Sequence, residues 1–305
     1  MPTASASLAV GAVALAKRYG TVTALSDLTL RVERGSIFGF LGANGAGKTT
    51  AVKMLLGLVR PTSGTAHVLG APIGDRETRR RIGYLPELFR YPEWLSAREV
   101  LAFHASLLGT NAAQRTPDIA RALTAVGLSE RADDRVATYS KGMQQRLGLG
   151  VALLGNPALV VLDEPTSALD PLGRYDVRAL LAGLRERGTT VFLNSHLLTE
   201  VELVCDRIAI VKSGRVISSG TREEILGEQR GLRIRARADG VSLHATLASF
   251  GDVTESNGAI VLRDVAHERT PEIVAALVTA RARVYAVEPI VQTLEERFIE
   301  LAGSP

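Results

Sequence analysis

At 305 residues, with 46% apolar residues and a mean hydropathy of +0.13, the chain has material for one large domain with an appendage or for two domains. No run approaches the roughly 18 to 20 apolar residues that a spanning helix needs, so the chain is not expected to cross a bilayer by itself. A net charge of +4 and a pI near 9.4 are only weak support for nucleic acid and fit a surface near anionic lipid, and the single cysteine, Cys205, excludes internal disulfides and suits a reducing compartment.

The apolar run Leu8 to Ala16 ends in Ala-Leu-Ala, which imitates an export-signal cleavage site. No Lys or Arg precedes it and strand-like sequence follows, so a first strand over Val13 to Leu15 is expected instead. Leu28 to Val32 and Ile37 to Leu41 read as further strands, and the second leads directly into Gly42, Ala43, Asn44, Gly45, Ala46, Gly47, Lys48, Thr49 and Thr50. This is a complete G-x-x-x-x-G-K-[ST] phosphate loop. Its glycines let the backbone curl with N–H groups pointing inward, Lys48 brings a point charge to β and γ phosphates, and the Thr49 hydroxyl can ligate Mg²⁺. A helix from Thr50 to Leu56 would turn its positive end toward those phosphates. The loop is therefore built to hold a nucleoside triphosphate.

Ile82 to Leu85 is the next strand, followed by Glu87 and a cluster of Phe89, Tyr91 and the only tryptophan, Trp94. Ala97 to Leu108, Pro117 to Val126 and Gly142 to Leu154 read as helices with no strand between them, so an all-helical insert interrupts the sheet. Tyr139-Ser140-Lys141-Gly142-Met143-Gln144 opens the last of these helices, with Ser140 placed to cap it. Leu159 to Leu162 is an apolar strand ending in Asp163 and Glu164, where a metal-associated aspartate and a water-activating glutamate would sit. Such a pair is common after strands and decides little alone. Ser167 to Asp170 follows, and Ser195-His196 comes directly after the strand Thr190 to Leu193. Arg207 to Val211, a hairpin at Lys212 to Arg215 and a capped helix over Thr221 to Leu226 complete an alternating α/β pattern that predicts a parallel sheet.

After Gln229 the texture changes. Strands are expected over Leu232 to Arg237, Ala259 to Leu262 and Val284 to Val287, with helices over Val241 to Phe250, Pro271 to Ala282 and Val291 to Leu301. The order is that of a small α+β sandwich of the split βαβ kind. The expected domains are 1–228, with a helical part at about 88–155, and 229–305.

The motifs taken in order resemble an ABC transporter ATP-binding subunit: Walker A at Gly42 to Thr50, signature at Tyr139 to Arg146, Walker B at Leu159 to Glu164, D-loop at Ser167 to Asp170 and switch histidine at His196. The resemblance covers about residues 8 to 225. It implies an ABC ATPase fold with a RecA-like core, a β-subdomain and a helical subdomain, here followed by a ferredoxin-like C-terminal domain. It also implies ATP and Mg²⁺ as ligands, with Tyr19 stacked on adenine, Lys48 on the phosphates, Thr49 and Asp163 on the metal, Glu164 polarising water and His196 sensing the γ phosphate. Ser140, Lys141, Gly142, Met143 and Gln144 would serve the nucleotide of a second copy, with Asp170 beside them, so dimerisation is part of the implied active site.

Lys141 and Met143 stand where the usual signature has Gly and Gln, a variant similar to that of ABC-2 type exporters. Glu87 replaces the usual Gln that assists the metal; its carboxylate can still bind Mg²⁺ or water, though it adds negative charge near the phosphates. The aromatic cluster fits either the core of the helical insert or a groove for a short helix of a membrane subunit, and the family favours the groove. Leu294-Glu-Glu-Arg-Phe298 is similar to the tail of some ABC-2 type subunits. The implied role is a homodimeric, peripheral motor on the cytoplasmic face of the membrane, driving ABC-2 type transmembrane subunits, with no nucleic acid partner expected. A subunit that matures a periplasmic metalloenzyme, or a soluble non-transport ABC ATPase, is the alternative.

Overall fold

The computed structural model describes residues 8–227, 231–238, 242–256, 258–290 and 292–303. Residues 226–300 form a compact unit separate from the remainder.

The larger unit begins with a hairpin of β1 (Leu8–Tyr19) and β2 (Val22–Glu33). β2 alternates cleanly, burying Leu28, Leu30 and Val32 between exposed Thr29 and Arg31. β1 is much longer than expected, and a bulge at Ala14, with φ of +48°, leaves Val13 exposed and hides the alternation from the sequence. β3 (Ile37–Gly42) runs into α1 (Lys48–Leu55), and then β4 (Ser63–Val68), β5 (Ala71–Pro72), α2 (Arg76–Arg79) and β6 (Ile82–Leu85) follow. Next come α3 (Ala97–Leu107), α4 (Ala112–Ala125) and α5 (Lys141–Ala152), which pack on one another. α4 starts before the expected Pro117, because Asn111 caps it by accepting from Ala113 N at 3.1 Å. β7 (Leu159–Asp163), α6 (Pro171–Glu186), β8 (Thr190–Asn194), α7 (Leu198–Val204), β9 (Arg207–Lys212), β10 (Arg215–Gly220) and α8 (Arg222–Leu226) complete the unit.

The ten strands form one sheet in the order β5-β4-β1-β2-β10-β9-β3-β8-β7-β6. The first four pair antiparallel, whereas β9, β3, β8, β7 and β6 are parallel. Helices cover the parallel part, so β3, β7 and β8 are buried along their whole length and read as unbroken apolar runs. At the centre Phe192 stacks on Phe38 with ring centroids 5.7 Å apart and meets Phe40 at a tilt, 5.3 Å away. This rigid middle carries the carboxyl ends of β3, β8 and β7 side by side.

The smaller unit has strands β11 (Gly231–Arg237), β12 (Asp252–Ser256), β13 (Ala259–Arg263) and β14 (Arg283–Pro289), with α9 (Leu243–Leu247) after β11 and α10 (Thr270–Thr279) after β13. They pair antiparallel in the order β12-β13-β11-β14, around a core of Leu232, Ile234, Leu262, Leu247, Ile273 and Leu277. α9 is shorter than the expected Val241 to Phe250, since Ser242 caps it at Ala245 N and Phe250 lies in a turn; Val241 lies outside the described residues. The last helix, α11 (Leu294–Gly303), begins after the expected Val291, which also lies outside them.

Candidate active site

Backbone crowding explains the glycines of the loop. A Cβ on Gly42 would stand 2.6 Å from the Val211 carbonyl oxygen, and one on Gly47 would collide with the Ala24 carbonyl. Gly45 and Gly47 adopt φ of +80° and +98°, the left-handed region that other residues resist. The β9–β10 turn braces the loop, with Gly214 N donating to Ala46 O at 3.0 Å. No side chain caps α1, so its first N–H groups stay available to an anion. Lys48 is buried and donates from Nζ to Gly42 O at 2.6 Å and Ala43 O at 3.3 Å. Burial pushes its pKa down, while the carboxylates of Glu164, Asp163 and Glu87 pull the other way. Ala43, Asn44 and Thr49 are exposed along the rim, and Thr50 is half-buried.

The carboxylates are positioned by strand register. β7 and β8 are parallel with Asp163 opposite Asn194, and Asn194 Nδ2 donates to Asp163 Oδ1 at 2.5 Å. Burial raises the Asp163 pKa, the Asn194 hydrogen bond lowers it, and Glu87 and Glu164 raise it further. Glu164 is buried and sits at φ of +53°, a strained position for a residue with a side chain. Its backbone is held on both sides. Glu164 N donates to Asn194 O at 2.9 Å, and Glu164 O accepts from Gln145 Nε2 at 3.2 Å and Ser167 Oγ at 3.1 Å. Its Oε1 accepts from His196 N at 2.9 Å and lies 2.7 Å from His196 Nδ1, while Oε2 has only Ser195 Oγ at 3.5 Å. Glu87 is exposed on the loop after β6 and near enough to act on Lys48, Asp163 and Tyr84, whose phenol is pushed up to about 12 by burial and these carboxylates.

Lys48, Glu87, Asp163, Glu164 and His196 therefore share one site. The signature residues bond elsewhere. Ser140 Oγ caps α5 by accepting from Met143 N at 3.2 Å, Gln144 Nε2 donates to Tyr139 O at 3.3 Å, and Ser140 and Lys141 are exposed. Gly142 is half-buried, and a Cβ there would meet nothing closer than 3.5 Å. Asp170 caps α6, accepting from Gly173 N at 2.9 Å. Tyr19, at the end of β1, is half exposed, with Lys17 Nζ 4.9 Å from its ring centroid.

Sequence reasoning passed over Asn194 and Gln145, which fix Asp163 and the backbone of Glu164. Asn194 was within reach of it, since two parallel strands ending at Asp163 and Asn194 place those residues side by side. Gln145 carries no such signal, because it acts through the fold of α5. The aromatic cluster divides: Phe89 and Tyr91 are half-buried with their rings tilted against each other at 5.4 Å, and Tyr91 is edge-on to His104, whereas Trp94 is 73% exposed.

The family model of the ABC transporter matches residues 25–167. An uncharacterized ABC transporter ATP-binding protein of Synechocystis is 45% identical over 215 residues, 70% of this chain and 61% of that protein's length. The Nod factor export ATP-binding protein I of Burkholderia thailandensis is 35% identical over 292 residues, 94% of each chain. Among solved structures, the dimeric post-hydrolysis state of an ATP-binding cassette bound to ADP and Pi is similar with a TM-score of 0.64 and 25% identity, covering 70% of this chain and 98% of that one.

Proposed function

Because the chain belongs to the ABC transporter family as an ATP-binding subunit, we propose that two copies close on two ATP molecules and drive export through a pair of ABC-2 type membrane subunits. It is an ATPase of the ABC fold. One observation carries the mechanism: three adjacent parallel strands end in the phosphate loop, in Asp163-Glu164 and in Asn194-Ser195-His196, and they converge on one site.

In that mechanism the loop amides and Lys48 bind the phosphates, and the three carboxylates around the ammonium oppose the larger effect of burial, which lowers its pKa. Glu164 takes a proton from the attacking water through Oε2, since His196 occupies Oε1 twice. The contacts of Oε1 with His196 N and Nδ1 hold the carboxylate and so fix where Oε2 points. The Thr49 hydroxyl and the Asp163 carboxylate, with Glu87 beside them, make the hard oxygen set that Mg²⁺ prefers, and Mg²⁺ is ordinarily completed by substrate phosphates rather than by an all-protein cage. Among the described residues no group of three or more His, Cys, Asp or Glu is placed to hold a metal ion. When bound, Mg²⁺ neutralises phosphate charge.

Ser140 and Gly142 open a helix whose start is free of acidic side chains and exposed, which suits the γ phosphate held by a second copy. The similar dimeric cassette supports this pairing, and the full-length likeness to the Nod factor export protein supports export. No helix among the described residues is long and apolar enough to cross a membrane; attachment at the cytoplasmic face through separate membrane subunits is part of the proposal. The test is Glu164→Gln, which is expected to bind ATP normally while turnover falls about 10² to 10⁴-fold. Hydrolysis near the wild-type rate would remove Glu164 from its role.

A further inference from the structure

Asn194 sits at the end of β8, between β3 and β7, opposite Phe40 on one side and Asp163 on the other. In parallel register these residues share a face, and that face is the one whose apolar part, Phe38, Phe40, Phe192 and Val161, packs in a common core with Ala51 and Val52 of α1. The polar end of the face thus lies toward the first turn of the helix that carries Lys48 and Thr49. Asn194 is 2% exposed and is held twice, by its carbonyl to Glu164 N at 2.9 Å and by Nδ2 to Asp163 Oδ1 at 2.5 Å. Its other amide atom, Oδ1, is buried and accepts no hydrogen bond from the described residues.

A buried acceptor without a donor costs about 1 to 3 kcal/mol, so such atoms are rare in folded chains. Here it lies beside the carboxylate assigned to the metal. We propose that Asn194 is a positioning residue for the Mg²⁺ of the bound nucleotide: Nδ2 fixes the Asp163 carboxylate, and Oδ1 accepts a hydrogen bond from a water in the ion's coordination sphere. A side-chain amide suits the task because it donates and accepts at once without adding charge. A carboxylate in its place would repel Asp163, and an alkyl group would free it to rotate. The inference rests on the reading of Asp163 as the metal-associated carboxylate.

Outer partners of a metal ligand are worth roughly 10 to 100-fold in metal affinity or activity when removed. The experiment follows Mn²⁺ by electron paramagnetic resonance as it binds to the full-length protein with adenylyl imidodiphosphate, which is not hydrolysed, and measures nucleotide binding separately in EDTA. Asn194→Ala is expected to weaken Mn²⁺ about 10-fold or more and to leave binding in EDTA unchanged, and Asn194→Ser, which can still donate and accept, should recover part of the loss. Equal Mn²⁺ affinity in wild type and Asn194→Ala would overturn the proposal. So would an equal loss with and without metal, which would mark a purely structural residue, and Asn194→Ser, the smaller disturbance, decides the matter if the alanine variant does not fold. Failure of the wild type itself to bind nucleotide in EDTA would instead strike at the ATP-binding reading.

Discussion

Lys48 and Asp163 hold charges that their surroundings resist. The ammonium has its pKa lowered by burial, and the carboxyl has its pKa raised by the same cause. Each ionised form therefore works against folding, as expected where a site is organised for a ligand rather than for the empty protein. For Asp163 the folded-state value lies above the roughly 3.9 of a solvated aspartate. The destabilisation is accordingly absent below that value, grows as pH rises through the raised one, and is complete above it. Asp163→Asn should make the nucleotide-free protein more stable at neutral pH by on the order of 1 kcal/mol. The gain should shrink toward pH 4, while metal-dependent ATPase activity is lost. Urea unfolding of both proteins at pH 4.5 and 7.5 measures this, and a gap that widens in acid would reverse the sign of the argument.

The helix α5 shows how one element serves the site from both ends of its first two turns. Gln145 on its buried side holds the Glu164 carbonyl, Ser140 and Lys141 are exposed, and Gly142 is half-buried. Nothing among the described residues requires glycine at 142, because a Cβ there has ordinary contacts at 3.5 Å or more. On folding grounds alone alanine would be preferred in a helix, by roughly 0.5 to 1 kcal/mol. Gly142→Ala should therefore match or exceed the wild-type melting temperature yet lose ATP-driven dimerisation and at least 10-fold in turnover. Unimpaired dimerisation would place the glycine outside the partner's site. Elements were legible in proportion to their burial. β3, β7 and β8 are closed on both faces and stand out as apolar runs, whereas β4, Ser63-Gly-Thr-Ala-His-Val68, buries only Ala66 and Val68 and resembles a loop. α6 carries its own signals, an Asp170 cap, Pro171 and buried Val177, Leu181 and Leu184 at helical spacing. The residue that resembles a D-loop aspartate is thus also that helix's cap. What the motifs could not convey was support from a distance, such as Gln145 on the Glu164 carbonyl, because the packing of α5 against the end of β7 decides it.

At the scale of the whole molecule the question is how closure at the site would reach a membrane partner. The helical layer of α3, α4 and α5 contains both the signature residues and, just ahead of α3, Trp94 at 73% and Leu88 at 87% exposure. Phe89 packs inward, its ring 3.0 Å from where a Cβ on Gly148 of α5 would stand, so the loop bearing Trp94 is tied to the signature helix. A movement of α5 toward a second copy would then carry Trp94 with it. Large exposed aromatics anchor many interfaces, and a tryptophan that contributes little to the core can be removed with little loss of stability. Trp94→Ala is expected to shift the melting temperature by no more than a degree or two, the response to a change of a few tenths of a kcal/mol, and to reduce co-purification with the membrane subunit about 10-fold or more. As the only tryptophan, Trp94 also reports directly: its emission should move to shorter wavelength when the membrane subunit is added. A large fall in melting temperature with normal assembly would return Trp94 to the core of the helical layer and leave the coupling route to other residues.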